Sequence, residues 1–391
     1  MSRGPQHEPA GGNMSRDEVV ISQPNGRMLL AFLERSRPLA GPVVGVAAVV
    51  IVAVLLSGSG FAATLLEDAL VYAIAAMAVD FLGGYAGLVS LGMAGFLGIG
   101  AYTVAIAEVH GFSPWAAVGV SLAVVLGTSA VLGVIAVRVK GVSFVIITLA
   151  MGQIIWGLGF QWVSLSEGDN GITLNALPSA GGFDLNNPVT LKMTCLVVFV
   201  VAAAVLVTIT RSPFGLSLRG IRSNEPRMGA LGYRTGLHRY LAWVIAGFFA
   251  GISGILFVFV NGLISPDAMD FSANGFLVVM AVLGGLGSIC GPAVGALIIV
   301  LFQQELSIYV TRWQTLMGCT LIAVVLFGPG GLWGLVRAGL NRRDALIARL
   351  REQVNAGPSA ASAGASGPAS PEGAPAGSAG IPPAGAERGG S

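Results

Sequence analysis

Asp80 is the one clear ionisable residue inside an apolar span, and it stands near that span's inner end, where it could line a path or sit at the interface. Carboxylates within a bilayer usually mark proton or ion paths. A single one is too few for a carrier driven by a sodium or proton gradient. Ser90, Thr148 and Gln153 are polar residues within other spans, able either to face a path or to bond between helices. His7, His110 and His238 are scattered, and Cys195, Cys290 and Cys319 fall in apolar stretches without a pairing pattern. Neither a metal cluster nor a disulfide framework is expected. No nucleophile–base pair is visible, and no Gly-x-x-x-x-Gly-Lys-Ser/Thr phosphate loop is present. An enzyme is therefore the most distant reading. No cofactor is expected on the chain, and any ATP and magnesium chemistry must belong to another polypeptide.

The densest chemistry is electrostatic. Residues 211–239 carry Arg211, Arg219, Arg222, Arg227, Arg234 and Arg239 against one carboxylate, Glu225. Ser212-Pro213 can open a short helix, with serine at the cap and proline at the first helical position. Asn224-Glu225-Pro226 repeats that grammar and adds an anion at a helix N-terminus. Gly232 is a natural stop. These signals predict a short helix over roughly 225–231, lying outside the membrane plane. A solvated loop would explain the arginines alone; docking of a soluble partner explains the caps as well.

The elements that hold these residues are apolar. The 391-residue chain is 54% hydrophobic and 10% charged, with mean hydropathy +0.80, whereas soluble domains are about 25% charged. Apolar spans lie near 41–57, 67–84, 88–108, 114–137, 141–163, 190–210, 240–262, 274–288, 290–306 and 313–333. About 20 apolar residues cross a bilayer, and most spans qualify. The pair 274–306 is interrupted by Gly284-Gly285-Leu286-Gly287-Ser288 and Gly291-Pro292, leaving two crossings or a re-entrant hairpin open. The expected class is an all-α polytopic membrane protein of about ten transmembrane helices, with broken or re-entrant segments and two related halves.

Flanking this domain, residues 39–336, are an N-tail of residues 1–38, expected to be disordered, and a C-tail of residues 337–391. The second is rich in Ala, Gly, Ser and Pro, and disorder is expected from about 356. Met1–Ala40 has no secretory-signal pattern. If the N-terminus is cytoplasmic, every Lys and Arg except Lys192 and Arg312 falls on an inner segment. Glu67, Asp68, Glu108, Glu167, Asp169, Asp184, Asp267, Asp270 and Glu305 then lie at outer ends. Both termini are thus expected in the cytoplasm of a bacterial cell, with the chain crossing its plasma membrane.

Glycines at four-residue spacing (Gly83/Gly87, Gly247/Gly251, Gly287/Gly291/Gly295) would each carve a groove along one helix face. Segments 84–92 and 284–291 are crudely alike, a weak sign of repeated halves around a central path. Broken helices at membrane depth are tolerated only against protein or a water-filled cavity. Gly87, Ser90, Thr148, Gln153, Gly285 and Ser288 are therefore the candidate path residues.

Asn224-Glu225 through Ala230-Leu231-Gly232, preceded by Arg219-Gly220-Ile221-Arg222, resembles the cytoplasmic coupling loop of branched-chain amino acid permeases of ATP-binding-cassette importers. Collinear agreement runs through Gly84–Gly92 and Gly98–Tyr102, Gly141–Phe144 with Thr148–Ala150, Gly168–Gly171, Leu283–Pro292 and Phe327–Leu332. It covers about residues 70–335 and is nearest the LivM-type of the two permease subunits. The resemblance implies alternating access driven by separate ATPases that engage Asn224, Glu225, Met228, Ala230, Leu231 and Gly232. It also implies a second permease subunit, two ATPase subunits and an external solute-binding protein, for which the outer loop 164–189 is a candidate seat. Pro226 and Met228 depart from the family's small residues, and Leu88 and Met93 replace its usual Gln and His. Those replacements keep a sister importer for urea, short amides or another small solute open. A self-sufficient channel or secondary carrier is the reading of another class, opposed by the coupling loop and the scarcity of buried carboxylates.

Overall fold

The computed structural model describes residues 60–174, 176–180 and 183–309, with a few single positions beyond, among them Gly331. These belong to one unit, residues 1–337, while the unit at 338–391 lies outside the described residues. The expected tails and the spans at 41–57 and 313–333 lie outside them as well, apart from single positions.

The remaining eight apolar spans all form helices. The first, α1 (Gly60–Asp80), runs on as a π-helical turn over Phe81–Tyr85. The chain then leaves helical geometry through residues 86–92, with Gly87 at φ 71°, and α2 begins at Met93 (Met93–Val109). Next come α3 (Pro114–Ala136), α4 (Val142–Gln161) and the single turn α5 (Val163–Ser166). Three two-residue strands follow: β1 (Ile172–Thr173), β2 (Ser179–Ala180) and β3 (Phe183–Asp184). Helix α6 (Pro188–Arg211) leads into the short helices α7 (Pro213–Ser223) and α8 (Glu225–Ala230), then into α9 (Thr235–Asn261). Strand β4 (Leu263–Ile264), α10 (Phe271–Gly284) and α11 (Gly291–Tyr309) complete the described elements.

Local chemistry explains several starts. Ser113 and Asn187 accept from the amides of Ala116 and Val189, each ahead of a proline in the first turn of α3 and α6. Asp270 accepts from Ala273 at 2.6 Å and opens α10. Helices α3, α4, α6 and α9 are long and apolar enough to cross a membrane. Their outward faces carry exposed aliphatics such as Val131, Ile154 and Val197, the side chains that lipid or a protein partner would cover.

Helix α10 has 14 residues, about 21 Å at 1.5 Å per residue, against the ~30 Å hydrocarbon core. It starts inside the bundle, where Asn274 meets Ala94 at the start of α2. The connection 262–270 that precedes it holds β4 and a 3₁₀ turn over Pro266–Met269. The 274–306 region is thus two helices packed on each other around a glycine turn, each shorter than or comparable to a bare crossing.

The bundle has two chemically distinct ends. One gathers α7, α8, the 137–141 connection and the glycine turn 285–290. At the other, β1 pairs antiparallel with β4 (Ile172 opposite Ile264) and Asn261 donates to Asp68 at 3.1 Å. Helix α9 runs between the ends through the core, against α1, α2 and α3. Its glycines permit that closeness: a Cβ at Gly254 would strike the Leu97 carbonyl, and one at Gly251 would strike Val125. Trp243 of α9 packs edge-on to Phe96 and Phe144, with ring centroids 5.7 Å apart in both pairs.

Only part of the expected glycine grooves exists. Gly247/Gly251 and Gly291/Gly295 do share helix faces, but Gly87 lies beyond the π turn and Gly287 lies in a turn at φ 89°. Four-residue spacing marks a face only while the helix is continuous, and here the backbone breaks between the members.

Candidate functional site

At the arginine-rich end, Asn224 sits in an extended conformation and its Oδ1 accepts the Arg227 amide at 3.0 Å, capping α8. Pro226 occupies the first turn of α8, where its missing N–H removes no intrahelical bond. Glu225 receives Lys140 Nζ at 2.9 Å and faces Arg239 Nη1 at 3.6 Å. Burial alone would raise the Glu225 carboxyl, but the Lys140 hydrogen bond and the charges of Arg239 and Lys140 outweigh it and hold it below the usual carboxylate range. Arg239 is itself buried and donates to the Val139 carbonyl at 2.8 Å. One carboxylate thus joins α8 to the 137–141 connection and to α9.

Met228 is the second anchor. A Cβ at Gly220 would lie 2.8 Å from its sulfur, so the thioether rests directly on α7. Ala230 and Leu231 point away from the protein, Leu231 being 67% exposed. Gly232, at φ 88°, ends the turn. Both departures from the family pattern, Pro226 and Met228, therefore fit their positions physically.

Helix α7 carries the contact inward. Leu218 and Ile221 are buried, while Arg219 donates to the Thr210 carbonyl at 3.0 Å and lies over the Tyr85 ring, 5.0 Å from its centroid. Arg222 donates to the Gly84 carbonyl, and its stem lies against Gly87. Gly84 abuts Gly287, whose amide donates to Asp80. Asp80, fully buried, ties the end of α1 to the glycine turn. In that turn Gly285 takes φ 104°, Ser288 donates to the Gly285 carbonyl at 2.8 Å, and Gly331 abuts Gly285.

A second cluster lies deeper. Thr148 is fully buried; its Oγ1 accepts the Leu91 amide at 3.2 Å and donates to the Val145 carbonyl at 3.0 Å. Ser90 Oγ accepts the Gly92 amide at 3.2 Å. Asn274 Oδ1 accepts the Ala94 amide at 2.9 Å and its Nδ2 donates to the Asp270 carbonyl at 3.1 Å. Two helix starts, those of α2 and α10, are pinned to each other inside the bundle. Gln153 stands beside them on α4; its Nε2 has no hydrogen-bond partner among the described residues, and the residue borders a shallow cavity of about 530 Å³ with Gln161 and Trp162. A more apolar cleft of about 510 Å³ separates α2, α3 and α4, lined by Tyr102, Leu132, Ile155 and Met269 among others.

The structure therefore brings Asn224, Glu225, Met228, Ala230, Leu231 and Gly232 together at one end. Gly87, Gly285 and Ser288 lie just inside them, whereas Ser90, Thr148 and Gln153 lie in the deeper cluster. Sequence reasoning missed the contacts of Lys140 and Asn274, and named Arg222 only as part of the basic loop. Asn274 was findable as an isolated amide at the start of an apolar run.

A family model described as branched-chain amino acid transport system / permease component matches residues 61–327. The chain is 25% identical over 299 residues to the high-affinity branched-chain amino acid transport system permease protein LivM of Escherichia coli (strain K12), with 70% of each protein covered. The LivM of Salmonella typhimurium gives the same figures. The LivH permease of that organism is 28% identical over 183 residues, covering 44% of this chain and 59% of its own. No solved structure matches. The matched region spans well over half of the chain and contains both the α7–α8 end and the deeper cluster, and the chain belongs to the branched-chain amino acid permease component family.

Proposed function

We propose that this chain is the membrane-spanning permease subunit of an ATP-binding-cassette importer for branched-chain or related small neutral amino acids. The observation that carries the coupling role is the seating of α8: Glu225 bridges to Lys140 and Arg239 while Leu231 stays exposed. A short helix fixed at its base and bare at its tip is a surface on which a soluble ATPase can push. The arginine-rich end faces the cytoplasm, with both termini on that side, and the end with the β1–β4 pair faces an external solute-binding protein. A second permease subunit and two ATPase subunits complete the assembly. The chain itself makes and breaks no covalent bonds.

In this reading ATP-driven closure of the ATPases shifts α8, and Met228 and Glu225 pass the displacement to α7, the 137–141 connection and α9. Arg219 and Arg222 pass it on to Tyr85, Gly84 and the glycine turn. The non-helical segment 86–92 and the connection 262–270 are the places where the packed helices can rearrange around a path lined by Gly87, Ser90, Thr148, Gln153, Gly285 and Ser288.

The test is capture of the ATPase together with solute uptake, in Glu225→Arg and in a chain lacking 224–232. Loss of both supports the reading; uptake that persists without the loop would overturn it. A sister importer for another small polar solute is favoured by apolar Leu88 and Met93, both buried, where polar groups are usual in the family. The solutes bound by the binding protein that docks on this chain decide between the two.

A further inference from the structure

At the end opposite α8, a cavity of about 450 Å³ lies between α1, α6, α9 and the residues Leu174, Leu177, Leu185 and Asn186. That is within the range of small-molecule sites. Glu67 of α1 lines it and is only 6% exposed, yet among the described residues it makes no ion pair within 4 Å. Its carboxylate is also absent from the hydrogen-bond network that holds its neighbours: Asn261 donates to Asp68, not to Glu67. Asp68 adds a second negative charge nearby, and Lys192 of α6 is the cation that acts on Glu67 from a distance. Among the described residues, two carboxylates against one ammonium leave one negative charge uncompensated beside a half-open cavity.

The remaining walls identify the missing cation. Leu177, Leu185, Leu191 and Phe259 supply apolar surface, while Thr64 and Asn186 add polar groups. Glu67 and Asp68 are consecutive on a helix and so point in different directions, which is poor geometry for chelating a metal. A buried charge lacking a partner is strongly destabilising, and a bound cation removes that penalty. We propose that this cavity binds a primary ammonium group borne on a short aliphatic compound, with Glu67 as its charge partner. Free aliphatic amino acids and aminophospholipid headgroups share that ammonium chemistry. The site is remote from α8 and its test reads binding, so its failure would leave the permease reading standing.

The full-length chain, with whatever subunits co-purify, is placed in phosphatidylcholine nanodiscs, and its thermal midpoint is followed against n-butylammonium. The midpoint should rise by several degrees, with no comparable rise from n-butyltrimethylammonium or n-butanol. Glu67→Gln should abolish the response while its ligand-free midpoint equals or exceeds that of the unmodified chain, since an uncompensated charge has been removed. Ala63→Phe, which fills the cavity and keeps the carboxylate, should abolish the response independently. Leucine reproducing the rise would identify a free amino acid as the occupant; a rise only on adding phosphatidylethanolamine would identify the lipid. An absent n-butylammonium response, an equal response in Glu67→Gln, or a lowered ligand-free midpoint in that variant would overturn the proposal.

Discussion

Asn274→Ala should destabilise the protein by about 2 kcal/mol. The side chain makes two hydrogen bonds, to the Ala94 amide at 2.9 Å and to the Asp270 carbonyl at 3.1 Å. The Asp270 carbonyl keeps the Asn274 backbone amide at 3.2 Å, so its loss is small. The Ala94 amide has no such reserve and is fully buried at the broken start of α2. Orphaning a buried N–H costs about 1–3 kcal/mol, while side-chain bonds measured inside membranes average nearer ~0.6. Because the amide is fully buried the first range applies, and its middle, about 2 kcal/mol, is roughly thirty-fold in the folding equilibrium. Asn274→Asp keeps an acceptor in place and should lose less once protonated. Thr148→Val removes the acceptor of the neighbouring Leu91 amide; because both residues hold one helix start, the double variant should cost little more than the worse single one. Denaturant titration in mixed micelles, read by tryptophan fluorescence, gives the energies, and uptake into proteoliposomes gives the function. An Asn274→Ala protein within about 0.5 kcal/mol of the parent, or fully additive costs for the pair, would refute the reasoning.

Glu225→Gln should weaken ATPase capture far more than Lys140→Met. Lys140 is 64% exposed and its pair is worth at most ~1 kcal/mol, whereas Arg239 would be left buried with only the Val139 carbonyl. Because the Glu225 carboxyl is held below its ordinary 4.5, its ionised form is complete above that value and is lost only as pH falls through the lowered one. Capture measured from pH 8 to pH 5 should therefore stay level and decline only in stronger acid. Gly251→Ala should cost about 1–3 kcal/mol by overpacking, and Val125→Ala, which removes the methyls that a new Cβ would strike, should restore part of it in the same micelle titration. Gly229→Ala meets nothing within 4 Å on the exposed side of α8; by helix propensity it should stabilise by up to ~1 kcal/mol in the same titration.

The long apolar runs made the membrane helices legible, since nothing else in water-soluble chemistry accounts for such stretches. Helix α8 was legible too, because Asn224, Pro226 and Gly232 each carry a local conformational meaning that needs no tertiary context. What failed to show was long-range. Asn274 contacts Ala94 across 180 positions, and no periodicity announces such a partner. The Gly83/Gly87 and Gly287/Gly291 spacings misled for a related reason: spacing presumes an unbroken helix, and the π turn and the 285–290 turn are backbone events that composition hides. The pairing of Lys140 with Glu225 also needs the fold, since the packing of α3 against α9 is what carries the 137–141 connection to Glu225.

Helix α9 has one further consequence. Its 27 residues make a rod of about 40 Å, anchored at one end to Glu225 through Arg239 and leading at the other directly into the β1–β4 pair. Events at the two faces thus share a single rigid body. In the proposed assembly, thermodynamic linkage then demands symmetry: whatever factor a docked solute-binding protein applied to ATPase affinity, the ATPase would apply to the docking of that protein. A factor above one means that each tightens the grip on the other, and a factor below one that each loosens it.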